Sequence, residues 1–115
     1  MKIVRQSDFE FKPRFVYKKH IYFDDKDLGK GGKLQIIKFP PNTSLRSHFH
    51  KKTREVYYAI SGNCTVKVNK KPVELEEGDV LLLDRKDSHE LITGSKEFVF
   101  LVYKVGEEEN DIYWE

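Results

Sequence analysis

EVYYAISGNCTVKVNKKPVELEEGDVLLLD, residues 55–84, reads as four short strands separated by three turns. EVYYAI (55–60) is rich in β-branched and aromatic residues, and Ser61-Gly62-Asn63 then breaks it. CTVKV (64–68) alternates: Cys64, Val66 and Val68 fall on one face, Thr65 and Lys67 on the other. Asn69-Lys70-Lys71-Pro72 makes the next turn, and VELE (73–76) alternates again. Glu77-Gly78-Asp79 precedes VLLLD (80–84). Outward in both directions the pattern repeats. LQIIKF (34–39) ends at Pro40-Pro41, because proline cannot continue a ladder. SLRSHFH (44–50) forms a more polar strand, and HELIT (89–93) and EFVFLVYKV (97–105) follow. No window carries helical apolar spacing flanked by caps. Short strands punctuated by turns predict an all-β sandwich or barrel.

The chain has 115 residues, enough for one domain. Fifteen aromatics (8 Phe, 6 Tyr, 1 Trp) support a packed core and exclude a disordered chain. Charges of both signs are interspersed and sum to +2, so no basic stripe exists to track a nucleic-acid backbone. No apolar run approaches a membrane span, and no secretory h-region opens the chain. The single cysteine, Cys64, is compatible with a reducing compartment, and a cytoplasmic location is expected. Lysine and glutamate dominate the charged set while Gln, Met and Cys are scarce, a bias reported for hyperthermophiles. DDKDLGKGGK (24–33) reads as a polar surface loop. Ile112-Tyr113-Trp114, after three glutamates, carries too much apolar area for a free tail and is expected to pack on the barrel or on a second subunit.

The chemistry lies in the histidines. His48 and His50 are two apart on one strand, so both imidazoles share a face, roughly 6–7 Å apart. A short hairpin from Lys51 to Arg54 is expected to fold the next strand back beside them and bring Glu55 to the same face. His89 follows a later turn. Three imidazoles and a carboxylate, with no thiolate, suit Mn, Fe, Co, Ni, Cu or Zn and leave open coordination positions. A closed structural zinc site instead prefers four protein ligands and often sulfur. His20 lacks a spaced partner and is not expected at the site.

Asn42 through His48-Phe49-His50, four residues, Glu55, six residues and Gly62 resembles the first signature of the cupin superfamily, Gly-x5-His-x-His-x(3,4)-Glu-x6-Gly. Gly78, five residues, Asp84 and then His89 resembles the second, Gly-x5-Pro-x-Gly-x2-His-x3-Asn. Asn42 stands for the first glycine, a mild change because Asn tolerates positive φ. Asp84, Lys86 and Thr93 replace the proline, glycine and asparagine of the second signature, which alters the loop and leaves the ligands. The resemblance implies one small cupin domain over 1–115: a double-stranded β-helix (jelly-roll) core at about 33–105, an N-terminal arm 1–32 and a C-terminal tail 106–115. It also implies a homodimer and one divalent transition metal held by His48, His50, Glu55 and His89 in the barrel mouth.

Strand parity adds neighbours. If His48 and His50 point inward, so does Arg46, which would place a positive charge beside the open metal positions. If Glu55 points inward, so does Tyr57. A small-molecule ligand or substrate is therefore expected. Three function classes follow. One is a metal-dependent oxygenase or isomerase/lyase acting on a small polar acid or sugar derivative. The others are a non-catalytic binding or sensing module and a structural metal.

Overall fold

The computed structural model describes residues 1–115, and strands dominate it. In chain order they are β1 (Lys12–Arg14), β2 (Tyr17–Phe23), β3 (Lys33–Phe39), β4 (Ser44–Phe49), β5 (Arg54–Ser61), β6 (Cys64–Val68), β7 (Lys71–Leu75), β8 (Val80–Leu83), β9 (His89–Thr93), β10 (Phe98–Val105) and β11 (Tyr113–Trp114). One sheet has the order β1-β2-β3-β10-β5-β8 and the other β11-β4-β9-β6-β7, with every pair antiparallel. From β4 to β10 the chain passes repeatedly between the sheets, as in a jelly roll. No helix is long and apolar enough to cross a membrane.

The expectations for residues 1–32 and for the Lys51–Arg54 link change, and of the two alternatives stated for the tail the structure shows packing on the barrel. Residues 1–32, read as an arm, contribute β1 and β2 to the larger sheet, and helix α1 (Asp25–Leu28) interrupts the stretch read as loop. Asp24 caps that helix by accepting from the Lys26 amide. The tail contributes β11, which pairs with β4 of its own barrel. The Lys51–Arg54 link is not a hairpin: β4 pairs with β9 and β11, whereas β5 pairs with β8 and β10 in the opposite sheet. The Asp111 carboxylate accepts the amides of Lys51, Lys52 and Thr53, groups a hairpin would otherwise commit to its own turn.

The inward faces change character along the strands. On β10 the sequence Phe98, Phe100, Val102 runs into Lys104, and on β3 the sequence Phe39, Ile37 runs into Gln35 and Lys33. On β5, Ala59 and Tyr57 lead to Glu55, and on β9, Leu91 leads to His89. The registers align these gradients. Phe100 lies between Ile37 and Ala59, Val102 between Gln35 and Tyr57, and Lys104 between Lys33 and Glu55. One end of the barrel is therefore an apolar core of Phe39, Phe98, Phe100, Val66 and Cys64. The other end is a polar mouth. Gly62, with φ +78°, closes the β5–β6 turn where an added Cβ would lie 2.2 Å from the Glu97 carbonyl oxygen.

Candidate metal centre

Four buried side chains from three strands and one strand end meet at the mouth: His48 on β4, His50 just past it, Glu55 on β5 and His89 opening β9. His48 and His89 are register partners across β4 and β9, and their rings lie 4.2 Å apart. One ring nitrogen from each of the three histidines lies within 4.8 Å of the others.

The backbone sets the tautomers. His48 Nδ1 donates to the Arg46 carbonyl (3.0 Å), His89 Nδ1 to the Asp87 carbonyl (3.0 Å) and His50 Nδ1 to the Asp111 carbonyl (2.5 Å). A carbonyl only accepts, so each Nδ1 carries a hydrogen, and in the neutral ring each Nε2 keeps a lone pair. This is the second contact that metal-binding histidines use to fix ring orientation. Glu55 Oε1 lies 2.9 Å from His50 Nε2 and 3.4 Å from His89 Nε2. Neither approach has hydrogen-bond geometry, and Glu55 Oε1 and His89 Nε2 are buried with no partner. Lone pairs on nitrogen and carboxylate oxygen repel at that range unless a cation lies among them. A divalent ion fits this donor set, and a proton on His50 is the substitute.

The protonation tendencies agree. Burial, followed by the neighbouring His89, pushes His48 down to about 4, so it is neutral near pH 7. Burial opposes charge on His50, yet the adjacent Glu55 outweighs it and raises its pKa. Burial alone would raise Glu55, but His50 and His89 hold it well below the usual carboxylate range. Burial drives Tyr57 well above an ordinary phenol.

Of the pocket residues expected from parity, Tyr57 is buried and lines the cavity, with its ring 6.3 Å from that of His89. Arg46 faces solvent. A β-bulge places Arg46 and Ser47 opposite the single residue Glu90 between the pairs Leu45↔Leu91 and His48↔His89, which reverses the parity upstream of His48. The inward position belongs to Leu45, and the Arg46 guanidinium instead donates to the Glu115 carbonyl (2.6 Å). His20 lies outside the mouth, stacked 5.0 Å from Phe9.

The cavity has a volume of about 660 Å³ and is lined by His48, His50, Glu55 and Tyr57 together with Gln35 and Lys104. Sequence reading missed Gln35, Lys104 and Asp111. No local signal marks Gln35 or Lys104, which join the site through cross-strand register; Asp111 carried only its position beside the apolar anchor 112–114. Trp114 packs 5.0 Å from His48 and Phe15, on the edge of the site. Asn42 and Lys86, which stand at glycine positions of the motifs, have φ of 51° and 68°, the backbone a glycine would adopt.

Comparison with known proteins gives a consistent picture. The family model described as "Cupin domain" matches residues 35–104. The oxalate-binding protein of Thermotoga maritima is 35% identical over 66 residues, covering 56% of this chain and 54% of that protein, so the chain spans about half the length of this curated relative. A predicted oxalate decarboxylase from Thermotoga maritima superposes with a TM-score of 0.85 at 22% identity, over 92% of this chain and all of that one (100%). The polyketide cyclase RemF of Streptomyces resistomycificus gives 0.85 at 22% identity, over 99% and 84% of the two chains. KdgF of a Halomonas species gives 0.84 at 11%, over 96% and 97%. At these identities the structural likenesses speak for the double-stranded β-helix alone.

Proposed function

The chain belongs to the cupin domain family, and from that premise we propose that it is a one-domain, metal-dependent enzyme acting on a small organic acid, by oxygenase-type or isomerase/lyase-type chemistry. His48, His50, His89 and Glu55 would hold one divalent transition metal, Mn, Fe, Co, Ni, Cu or Zn. The observation that carries this reading is the group of three buried histidines with a ring nitrogen of each within 4.8 Å of the others, beside an unpartnered Glu55 carboxylate oxygen 2.9 and 3.4 Å from the Nε2 atoms of His50 and His89. Such an ion, once bound, would supply Lewis acidity and a place for substrate oxygen to coordinate.

The chain's own residues do the rest. The carbonyls of Arg46, Asp87 and Asp111 keep the imidazoles in the ligating tautomer. Glu55 contributes the negative charge that favours a divalent cation over a proton at neutral pH. Tyr57 and Phe100 form the inner wall and limit water behind the substrate. The matched segment of the oxalate-binding relative supports a small acid as substrate class.

A second reading, a binding or sensing module with a structural metal, draws on the relative's description as a binding protein. Elemental analysis followed by turnover assays on the loaded protein separates the two. Product formation from a small acid supports the enzyme, and saturable binding without product supports the module. Protein that holds no metal overturns both. We further propose a cytoplasmic homodimer. The outer face of β5 and β8 exposes Tyr58, Ile60, Val80 and Leu82, the last two at 62% and 60%, on an edge strand that has no covering element in the monomer.

A further inference from the structure

The cavity wall opposite the histidines gathers three lysines, Lys19, Lys33 and Lys104, of which Glu107 bridges two. Lys33 and Lys104 are register partners on β3 and β10, and Glu107 bridges them, its two carboxylate oxygens 2.6 and 3.0 Å from their ammonium groups. Lys19, on β2, also lines the cavity but has no acid within 4.0 Å and makes no hydrogen bond. The other acids of the cavity are engaged or peripheral. Asp111 serves the Lys51–Thr53 amides, Asp24 caps a helix, Glu108 pairs with Lys52, and Asp25 and Glu109 stand exposed at the rim. Burial, then repulsion from Lys33 and Lys104, lowers Lys19 to about 8, the mark of a cation short of a counter-charge.

A second observation points the same way. Gln35 is 1% exposed, lines the cavity between β2 and β10, and its side chain makes no hydrogen bond to the protein. Its Oε1 is fully buried and unpartnered. A buried amide left unmatched costs on the order of 1–3 kcal/mol, so its retention beside an unpaired ammonium marks a place for a polar guest. Glu107 demonstrates the kind of group this wall accepts, because one carboxylate spans two of its lysines.

We propose that Lys19, Lys104 and Gln35 form an anion subsite for the second carboxylate of a small dicarboxylate longer than oxalate, whose first carboxylate lies at the histidine–glutamate cluster. This rests on the metal-site reading above. The length requirement comes from the sheet. β3 and β10 separate β2 from β5, and Lys19 pairs in the Ile37–Phe100–Ala59 row, so its backbone lies three strand spacings (roughly 14 Å) across and four residues (roughly 13 Å) along the sheet from Glu55, a gap that the lysine side chain and sheet curvature shorten. Oxalate, with its carboxylates joined directly, reaches Lys104 beside Glu55 but leaves Lys19 and most of the 660 Å³ cavity empty.

The test is calorimetric titration of protein carrying one equivalent of zinc, a redox-silent ion, with oxalate, glutarate and butyrate. The same titrations are run on chelator-treated protein. Glutarate is expected to bind at least tenfold more tightly than either oxalate or butyrate. Lys19→Gln is expected to remove about tenfold for glutarate and leave butyrate unchanged, with Lys19→Arg restoring the loss. Gln35→Leu is expected to weaken glutarate while raising thermal stability, a split that a purely structural glutamine would not give. Oxalate binding tightest, or glutarate indifferent to Lys19→Gln, overturns the subsite. If zinc does not bind, the metal reading fails by itself. The chelator-treated titration then decides the subsite separately: loss on Lys19→Gln supports it, and no change overturns it.

Discussion

Asp111→Ala is the substitution with the largest expected consequence outside the ligands. The carboxylate accepts four hydrogen bonds, from the amides of Lys51 (2.9 Å), Lys52 (2.9 Å) and Thr53 (3.1 Å) and from the Thr53 hydroxyl (2.8 Å). Hydrogen bonds to a charged acceptor contribute about 1.5–3 kcal/mol each, but the lysine amides regain water when the acid is lost. Thr53 is buried and regains little. A net loss of about 3–5 kcal/mol is expected, a large fraction of the 5–15 kcal/mol typical of a domain. The same residue's carbonyl orients His50. Displacing the tail should therefore weaken metal binding by about 10–100-fold, the usual cost of losing such a support.

Urea unfolding measures the first effect. Metal titration followed by fluorescence of Trp114, the one tryptophan in the chain, which lies 5.0 Å from His48, measures the second. The pH dependence has a defined sign. Burial would raise the Asp111 pKa, but the Lys51 and Lys52 amides and the Thr53 hydroxyl outweigh it and hold it below the ordinary value. Its stabilisation is therefore fully present above about pH 4 and fades as pH falls through the lowered folded value. The gap between wild type and Asp111→Ala should narrow in that acid range. An unchanged urea midpoint together with unchanged metal affinity would refute the role assigned to this carboxylate.

Three further outcomes are expected. The double variant His48→Ala/His50→Ala should lose stoichiometric metal by elemental analysis. Its melting should no longer respond to chelator, whereas wild type with metal at a hundredfold over Kd gains about 2.7 kcal/mol. Lys86→Gly relieves a φ of 68° and keeps the amide that donates to the His50 carbonyl; it should stabilise by about 0.5–1 kcal/mol, seen as a melting point a few degrees higher, and a lower one would contradict the strain. Val80→Glu with Leu82→Glu, on exposed positions, should convert a dimer to monomer in sedimentation without loss of fold.

Much of the barrel was legible locally. CTVKV and HELIT form strands with the expected bounds, because alternation and flanking turns are properties of a few consecutive residues. The histidine spacing was legible for the same reason, since a period of two places His48 and His50 on one face wherever the strand lies. Arg46 was misplaced because a bulge depends on the partner strand: only the pairing with β9 sets two residues against Glu90. The strands of residues 1–32 lack a strong pattern of their own. β1 is exposed throughout, and β2 is held by its pairing with β3.

The amino-acid sequence by itself determined an all-β chain and singled out the three imidazoles and one carboxylate proposed to hold the metal, through short-range periodicity and side-chain type. The tertiary structure decided what surrounds them. Closure of the two sheets sends β4 and β5 to opposite walls and brings Asp111 back to the turn between them. The register Lys33↔Lys104↔Glu55 joins residues 71 and 49 positions apart in the chain into one row. Cross-strand register is a long-range property, set by how whole inward faces pack against one another, and no window along the chain contains it.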